Sequence, residues 1–112
     1  PARPFHLIVE QLREELRANP TILAFGSDEV ATVAVASGGT GIGDFHEAMQ
    51  LGVDLFITGE ISEVYHIAKD AGMNVIFAGH HASEILGVKA LADIISKEFG
   101  VRSEFVDIPT GL

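Results

Sequence analysis

Apolar residues recur at helical spacing in the first stretch of the chain, PFHLIVEQLREELRANP, where Phe5, Ile8, Val9, Leu12 and Leu16 fall on one face. The spacing predicts an amphipathic helix that buries one side and stops at Asn19-Pro20. Two β-branched and apolar runs follow, TILAFG and VATVAVAS, separated by Ser27, Asp28 and Glu29. They read as two strands joined by a short polar turn, an antiparallel hairpin.

The pattern then changes to strand, glycine-containing turn and helix, three times over. VATVAVAS leads through GGTGIG into DFHEAMQLG, VDLFITG leads into EISEVYHIAKDAG, and NVIFAG leads through HHAS into EILGVKALADIISKEFG. A last run, SEFVDI, reads as a closing strand before Pro109. Strands alternating with helices predict an α/β fold, a mixed, largely parallel β-sheet covered by helices. No linker or low-complexity segment interrupts residues 1–112, which read as a single domain. In such sheets ligands gather at the carboxyl ends of parallel strands. Residues 38–44, 58–63 and 80–84 are therefore expected at one rim.

Composition narrows the chemistry. A 47% hydrophobic content allows a packed core, and a formal charge of -9 disfavours phosphodiester backbones and anionic lipid, so neither nucleic acid nor membrane is an expected partner. With no cysteine, disulfides, thiolate catalysis and cysteine-based zinc sites are excluded, in keeping with a cytoplasmic setting. No run reaches the roughly 18 apolar residues of a spanning helix, and no secretory signal is visible. The chain opens PARPF without methionine, which is expected of a processed chain or a piece of a longer one.

Three polar groupings are candidates for function. His80 and Glu84 lie four residues apart across a strand-to-helix turn, so an imidazole and a carboxylate can point into one cleft; mixed N/O ligation suits a divalent Zn, Mn, Fe or Ni ion. The competing reading is a capped helix start with solvated histidines, and Ser83 is most simply that cap. His81 should point away from His80 if the segment stays extended. Glu60, Glu63 and His66 form a second group, read either as a solvated face of a helix whose apolar side is Ile61, Val64, Tyr65 and Ala68, or with Glu60 as a general base or a partner orienting a ligand histidine. His6 and His46 read as surface or packing residues.

The glycine run at residues 38–43 could turn backbone amides toward an anion at a helix start, or simply line a cleft. SGGTGIG also looks like the glycine loop of short-chain dehydrogenases, and Tyr65 to Lys69 fits Y-x-x-x-K. The glycine spacing is a residue short, no acidic ribose partner follows at a strand end, and the tyrosine comes too soon. That reading is set aside.

Three other motifs occur together: I-T-G-E at residues 57–60, G-H-H-A-S-E at 79–84 and F-V-D-I-P-T-G-L at 105–112. With the upstream VATVAVASGGTGIGDFHEA, they make most of the chain resemble the Nif-three-like family, dinuclear-metal-centre hexameric proteins often labelled GTP cyclohydrolase 1 type 2 homologues. The resemblance is to the C-terminal half only, one half of a duplicated Nif-three-like fold. It implies two neighbouring divalent metal ions in a cleft, with His80 and Glu84 as metal ligands and Glu60 as a cleft-lining residue. His81 falls where that motif carries an aromatic residue or histidine and is not carried over as a ligand. The family's remaining ligands, a His-His pair and an acidic residue, belong to a first half that has no counterpart in this chain, so the site would be completed by residues outside it.

The function implied is that of a metal-binding domain of a hydrolase in which paired ions about 3.5–4 Å apart activate water toward a phosphoryl or carbon centre. In that scheme His80 and Glu84 fix metal, Glu60 accepts a proton, and the small-molecule substrate is unspecified. The alternative is a non-catalytic oligomerisation or protein-interaction module with a vestigial or structural metal site. Either way, a half of a two-half fold exposes apolar surface, and a homo-oligomer, hexameric by resemblance, is expected.

Overall fold

The computed structural model describes all 112 residues, Pro1–Leu112. Strand β1 (Arg3–Pro4) leads into helix α1 (Phe5–Leu16), followed by strands β2 (Thr21–Leu23), β3 (Glu29–Val30) and β4 (Val33–Thr40). Helix α2 (Ile42–Gln50), strand β5 (Leu55–Ile61), helix α3 (Tyr65–Ala71), strand β6 (Asn74–Phe77) and helix α4 (His80–Phe99) complete the order. The main sheet runs β2-β6-β5-β4, with β4–β5 and β5–β6 parallel and β2–β6 antiparallel. The mixed, largely parallel α/β architecture is as predicted.

The early hairpin is not formed. β2 and β4 lie on opposite edges of the sheet with β5 and β6 between them, so the antiparallel pairing belongs to β2 and β6, with Ile22 opposite Ile76. Asn74 explains how the turn is drawn away. Buried at 1% exposure, it accepts a hydrogen bond from the Gly26 amide at 2.8 Å and donates to the Ser27 carbonyl at 2.8 Å, binding the polar segment to β6. β3 then pairs with β1 rather than extending β4.

Side-chain alternation along the central strands divides the core. Phe56 and Val75 face a cluster with Phe45 and Ala48 of α2, Ala68 of α3, and Val64 and Met73; their neighbours Leu55 and Ile76 face Phe5 and Val9 of α1. Helices therefore cover both faces. α1 keeps its predicted inner face, with Phe5 and Val9 buried and Ile8 and Leu12 half-buried against them.

α4 departs from this economy. Its 20 residues include no buried one, and Val88, Leu91, Ile95 and Phe99 all stand exposed. A helix of that length reaches about 30 Å. The Cα radius of gyration is 15.5 Å, against about 13 Å expected for a compact chain of this size.

The expected strand at SEFVDI is absent, since residues 100–112 carry no regular structure. They run back along α4, held by scattered contacts rather than by a strand ladder. The Ser103 hydroxyl donates to the Ala92 carbonyl at 3.0 Å, the Lys89 ammonium lies 4.8 Å from the centre of the Phe105 ring, and Asp107 meets His81.

Candidate metal centre

The parallel strands deliver three junctions to one rim, as expected, but with shifted boundaries. β4 continues through Gly38 and Gly39 to Thr40 after an irregularity between Ala36 and Gly39, leaving only Gly41 as the link to α2. The amide of Gly41 donates to the Asp44 carboxylate at 3.0 Å, so a fixed anion already occupies this helix start. β5 extends through Glu60 to Ile61, placing Glu60 on a strand rather than on a helix. α4 begins at His80, not at Glu84.

His80 sits between two carboxylates from different elements. Its Nδ1 lies 2.6 Å from Glu60 Oε1, and its Nε2 lies 3.5 Å from Glu84 Oε1 one helical turn away. An ionised carboxylate can only accept, so Nδ1 carries the proton, and in the neutral ring the Nε2 lone pair points toward Glu84. The hydrogen bond to Glu60 holds the His80 pKa above the ordinary imidazole value, and the nearby Glu84 and Glu60 charges add to it against desolvation. The histidine is about 39% exposed and Glu84 49%, so the cleft is open to solvent.

Glycines make this approach possible. Gly38 has φ +69°, and a Cβ there would overlap Glu84 Oε1 and stand 3.3 Å from His80 Nε2, in the space the two side chains face. Gly59 is packed as tightly from below. A Cβ on it would collide with the Gly38 carbonyl and come within 2.6 Å of Ser83 Oγ and 2.9 Å of the Gly79 carbonyl. The sequence marked Gly38 only as part of a glycine run that could face an anion or line a cleft, and left Gly59 unremarked beyond the I-T-G-E motif.

Ser83 is not a helix cap. It lies inside the first turns of α4, where its hydroxyl accepts the Gly38 amide at 2.8 Å and donates to the His80 carbonyl at 3.0 Å, stitching β4 to the helix. Glu63 accepts the Tyr65 amide at the start of α3 at 2.8 Å. The grouping of Glu60, Glu63 and His66 is thereby broken up. Glu60 turns to His80, Glu63 to α3, and the His66 ring packs edge-on to Tyr65 at 5.2 Å. His81 points to the other side of α4 and bonds Asp107 at 2.8 Å, a pairing the sequence did not reveal because 26 residues separate them.

As a metal site this arrangement is incomplete. No group of three or more His, Cys, Asp or Glu side chains has the geometry to hold an ion. Two donors do face each other, since 3.5 Å between His80 Nε2 and Glu84 Oε1 is less than the sum of two ordinary N/O–metal bonds, about 4 Å. Glu60 is not a third donor into that space but takes the opposite ring nitrogen, the arrangement that orients metal-binding histidines. A cavity of about 320 Å³ lined by Gly59, Glu60, Gly79, His80 and Leu112 opens beside it. A second, of about 340 Å³, shares Glu60 and is walled by Leu23, Ile61, Val64, Tyr65 and Phe77. No helix is long and apolar enough to cross a membrane.

Comparison with known proteins identifies relatives of the whole chain. A "GTP cyclohydrolase 1 type 2 homolog" from Pyrococcus horikoshii is 46% identical over 112 residues, covering 98% of this chain and 44% of that protein. One of the same name from Archaeoglobus fulgidus is 46% identical over 92 residues, 81% of this chain and 37% of the relative. Among solved structures, TTHA1606 from Thermus thermophilus superposes with a TM-score of 0.88 at 37% identity, covering all of this chain and 45% of its own. The chain thus spans less than half the length of these relatives, consistent with half of a duplicated fold. The profile of the Duf34/NIF3 (NGG1p interacting factor 3) family matches residues 2–110, and the chain belongs to that family.

Proposed function

We propose that this chain is a divalent-metal-binding domain of a metal-dependent hydrolase. His80 through Nε2 and Glu84 through its carboxylate supply part of a dinuclear site that residues outside the chain complete. The observation that carries the proposal is the histidine held between two carboxylates, one bonded to Nδ1 at 2.6 Å and the other facing Nε2 at 3.5 Å. Nitrogen and oxygen donors of this kind suit Zn, Mn, Fe or Ni, and such an ion acts as a Lewis acid that lowers the pKa of water.

The chain's own residues have distinct tasks. Glu60 fixes the ring and tautomer of His80, and its second oxygen is free to accept a proton from a substrate or water in the adjoining cavity. The open cleft takes a small molecule. The -9 charge argues against nucleic acid and membrane as partners, and a cysteine-free chain fits a cytoplasmic location. The cyclohydrolase name belongs to the relatives.

Calorimetric titration of the chain with Mn²⁺, Zn²⁺, Fe²⁺ and Ni²⁺, beside His80→Ala and Glu84→Ala, tests the ligand assignment. Both substitutions are expected to remove binding. Metal retained by both would sink it.

A second reading, a non-catalytic oligomerisation module, is favoured by one observation, the row of exposed apolar side chains on α4. A homo-oligomer, up to the hexamer implied by resemblance, would cover that row whether or not the site is catalytic.

A further inference from the structure

We infer that Asp107 is a positioning residue for His80, acting through His81 and the C-terminal segment laid along α4. The inference rests on the reading of His80 as a metal ligand. It begins with a deficiency of α4 itself. The helix starts after Gly79, which has no side chain to cap it, and no side-chain cap bond is made there. The first amides of a helix have no partner within it.

The C-terminal segment supplies one. The Leu112 carbonyl accepts the His81 amide at 3.1 Å, and Asp107 Oδ1 lies 2.8 Å from His81 Nε2. Both contacts fall on the same residue, one fixing its backbone and the other its ring. Farther along, the Ser103 and Phe105 contacts keep the segment against the helix.

Successive residues on a helix are set about 100° apart. Holding His81 from outside therefore sets the rotation of the first turn, and with it the direction of His80. That direction matters because His80 must meet Glu60, which stands on β5 and does not move with the helix. On the opposite side of the same turn, Ser83 is held by the Gly38 amide of β4. The turn that presents His80 is clamped from two sides, by the sheet at Ser83 and by the C-terminal segment at His81.

Imidazole-resolved NMR of the full chain without metal, followed by Co²⁺ titration, tests this in the wild type, Asp107→Ala, Asp107→Asn and His81→Ala. Asp107→Ala and His81→Ala are expected to shift the His80 ring ¹⁵N signals away from a fixed Nδ1-protonated tautomer and to lower Co²⁺ affinity about tenfold, with the amide spectrum otherwise native. Asp107→Asn, which keeps an acceptor oxygen, should restore both. The double variant should be no worse than either single one, as expected for two residues acting through one contact. An unchanged His80 signal in Asp107→Ala and His81→Ala overturns the inference, even where thermal stability falls. Should no protein, the wild type included, bind Co²⁺ while the His80 signal still depends on Asp107, the ligand reading fails and the positioning role stands.

Discussion

Glu60 on strand β5 and His80 at the start of helix α4 meet at 2.6 Å, so a hydrogen bond joins a sheet residue and a helix residue 20 positions apart. The bond fixes which ring nitrogen is free. Replacing Glu60 by alanine should leave the fold intact, since its side chain is 50% exposed and packs no core. It should cost about 10- to 100-fold in divalent-metal affinity by calorimetry, the usual penalty for removing a ligand's orienting partner. Affinity unchanged in Glu60→Ala would mean that His80 needs no such help.

Gly59→Ala tests the packing beneath the site. The added methyl meets two backbone carbonyls, those of Gly38 and Gly79, which cannot swing aside as a side chain could. Overpacking of this kind costs about 1–3 kcal/mol. Chemical denaturation should show that loss, and the displaced first turn of α4 should weaken metal binding as well.

How much of this was legible in the chain depends on the range of each contact. The α1 face and the strand-helix alternation were readable because their signals are local and periodic, and the convergence of residues 38–44, 58–63 and 80–84 follows from parallel topology. The hairpin misreading has a definite cause. A polar turn between two β-branched runs is a local signal, whereas the buried amide of Asn74 that captures Gly26 and Ser27 lies nearly 50 residues away. SEFVDI has strand-like composition, but Asp107 and Phe105 are engaged by His81 and Lys89 of a helix, which offers no backbone ladder. Within the site, His80, Glu84 and Glu60 stood out as chemistry-bearing residues. Gly59 did not, because its importance lies in the volume it leaves empty.

Asp54 gives a pH prediction independent of the proposed metal site. Its carboxylate accepts the Ala31 and Thr32 amides at 2.9 Å each and the Thr32 hydroxyl at 3.0 Å, tying the start of β5 to the segment before β4. The Ala31 amide, then the Thr32 amide and hydroxyl, hold its pKa below the usual carboxylate value. A depressed carboxylate contributes stability that is present above its unfolded pKa, about 3.9, and is lost as pH falls through the folded value. Melting curves should therefore fall more steeply below about pH 4 in the wild type than in Asp54→Asn. Parallel acid curves for the two proteins would remove Asp54 from the account of acid stability.

The exposed row on α4 gives the last prediction. Val88, Leu91, Ile95 and Phe99 are 54%, 57%, 37% and 74% exposed, and their spacings of three and four residues line one side of the helix. An apolar stripe of this kind, on a helix with no buried residue, is the surface expected to be covered when copies of the chain associate. Light scattering of the wild type should give a mass that is a multiple of 11.9 kDa. Leu91→Glu combined with Ile95→Glu should shift that mass toward the monomer. Because neither side chain is in the core, the double variant should cost the isolated fold no more than about 1 kcal/mol, two surface changes of about 0.5 each. A wild type that scatters as a monomer at high concentration, or a double variant that assembles undiminished, would show that α4 is not the interface.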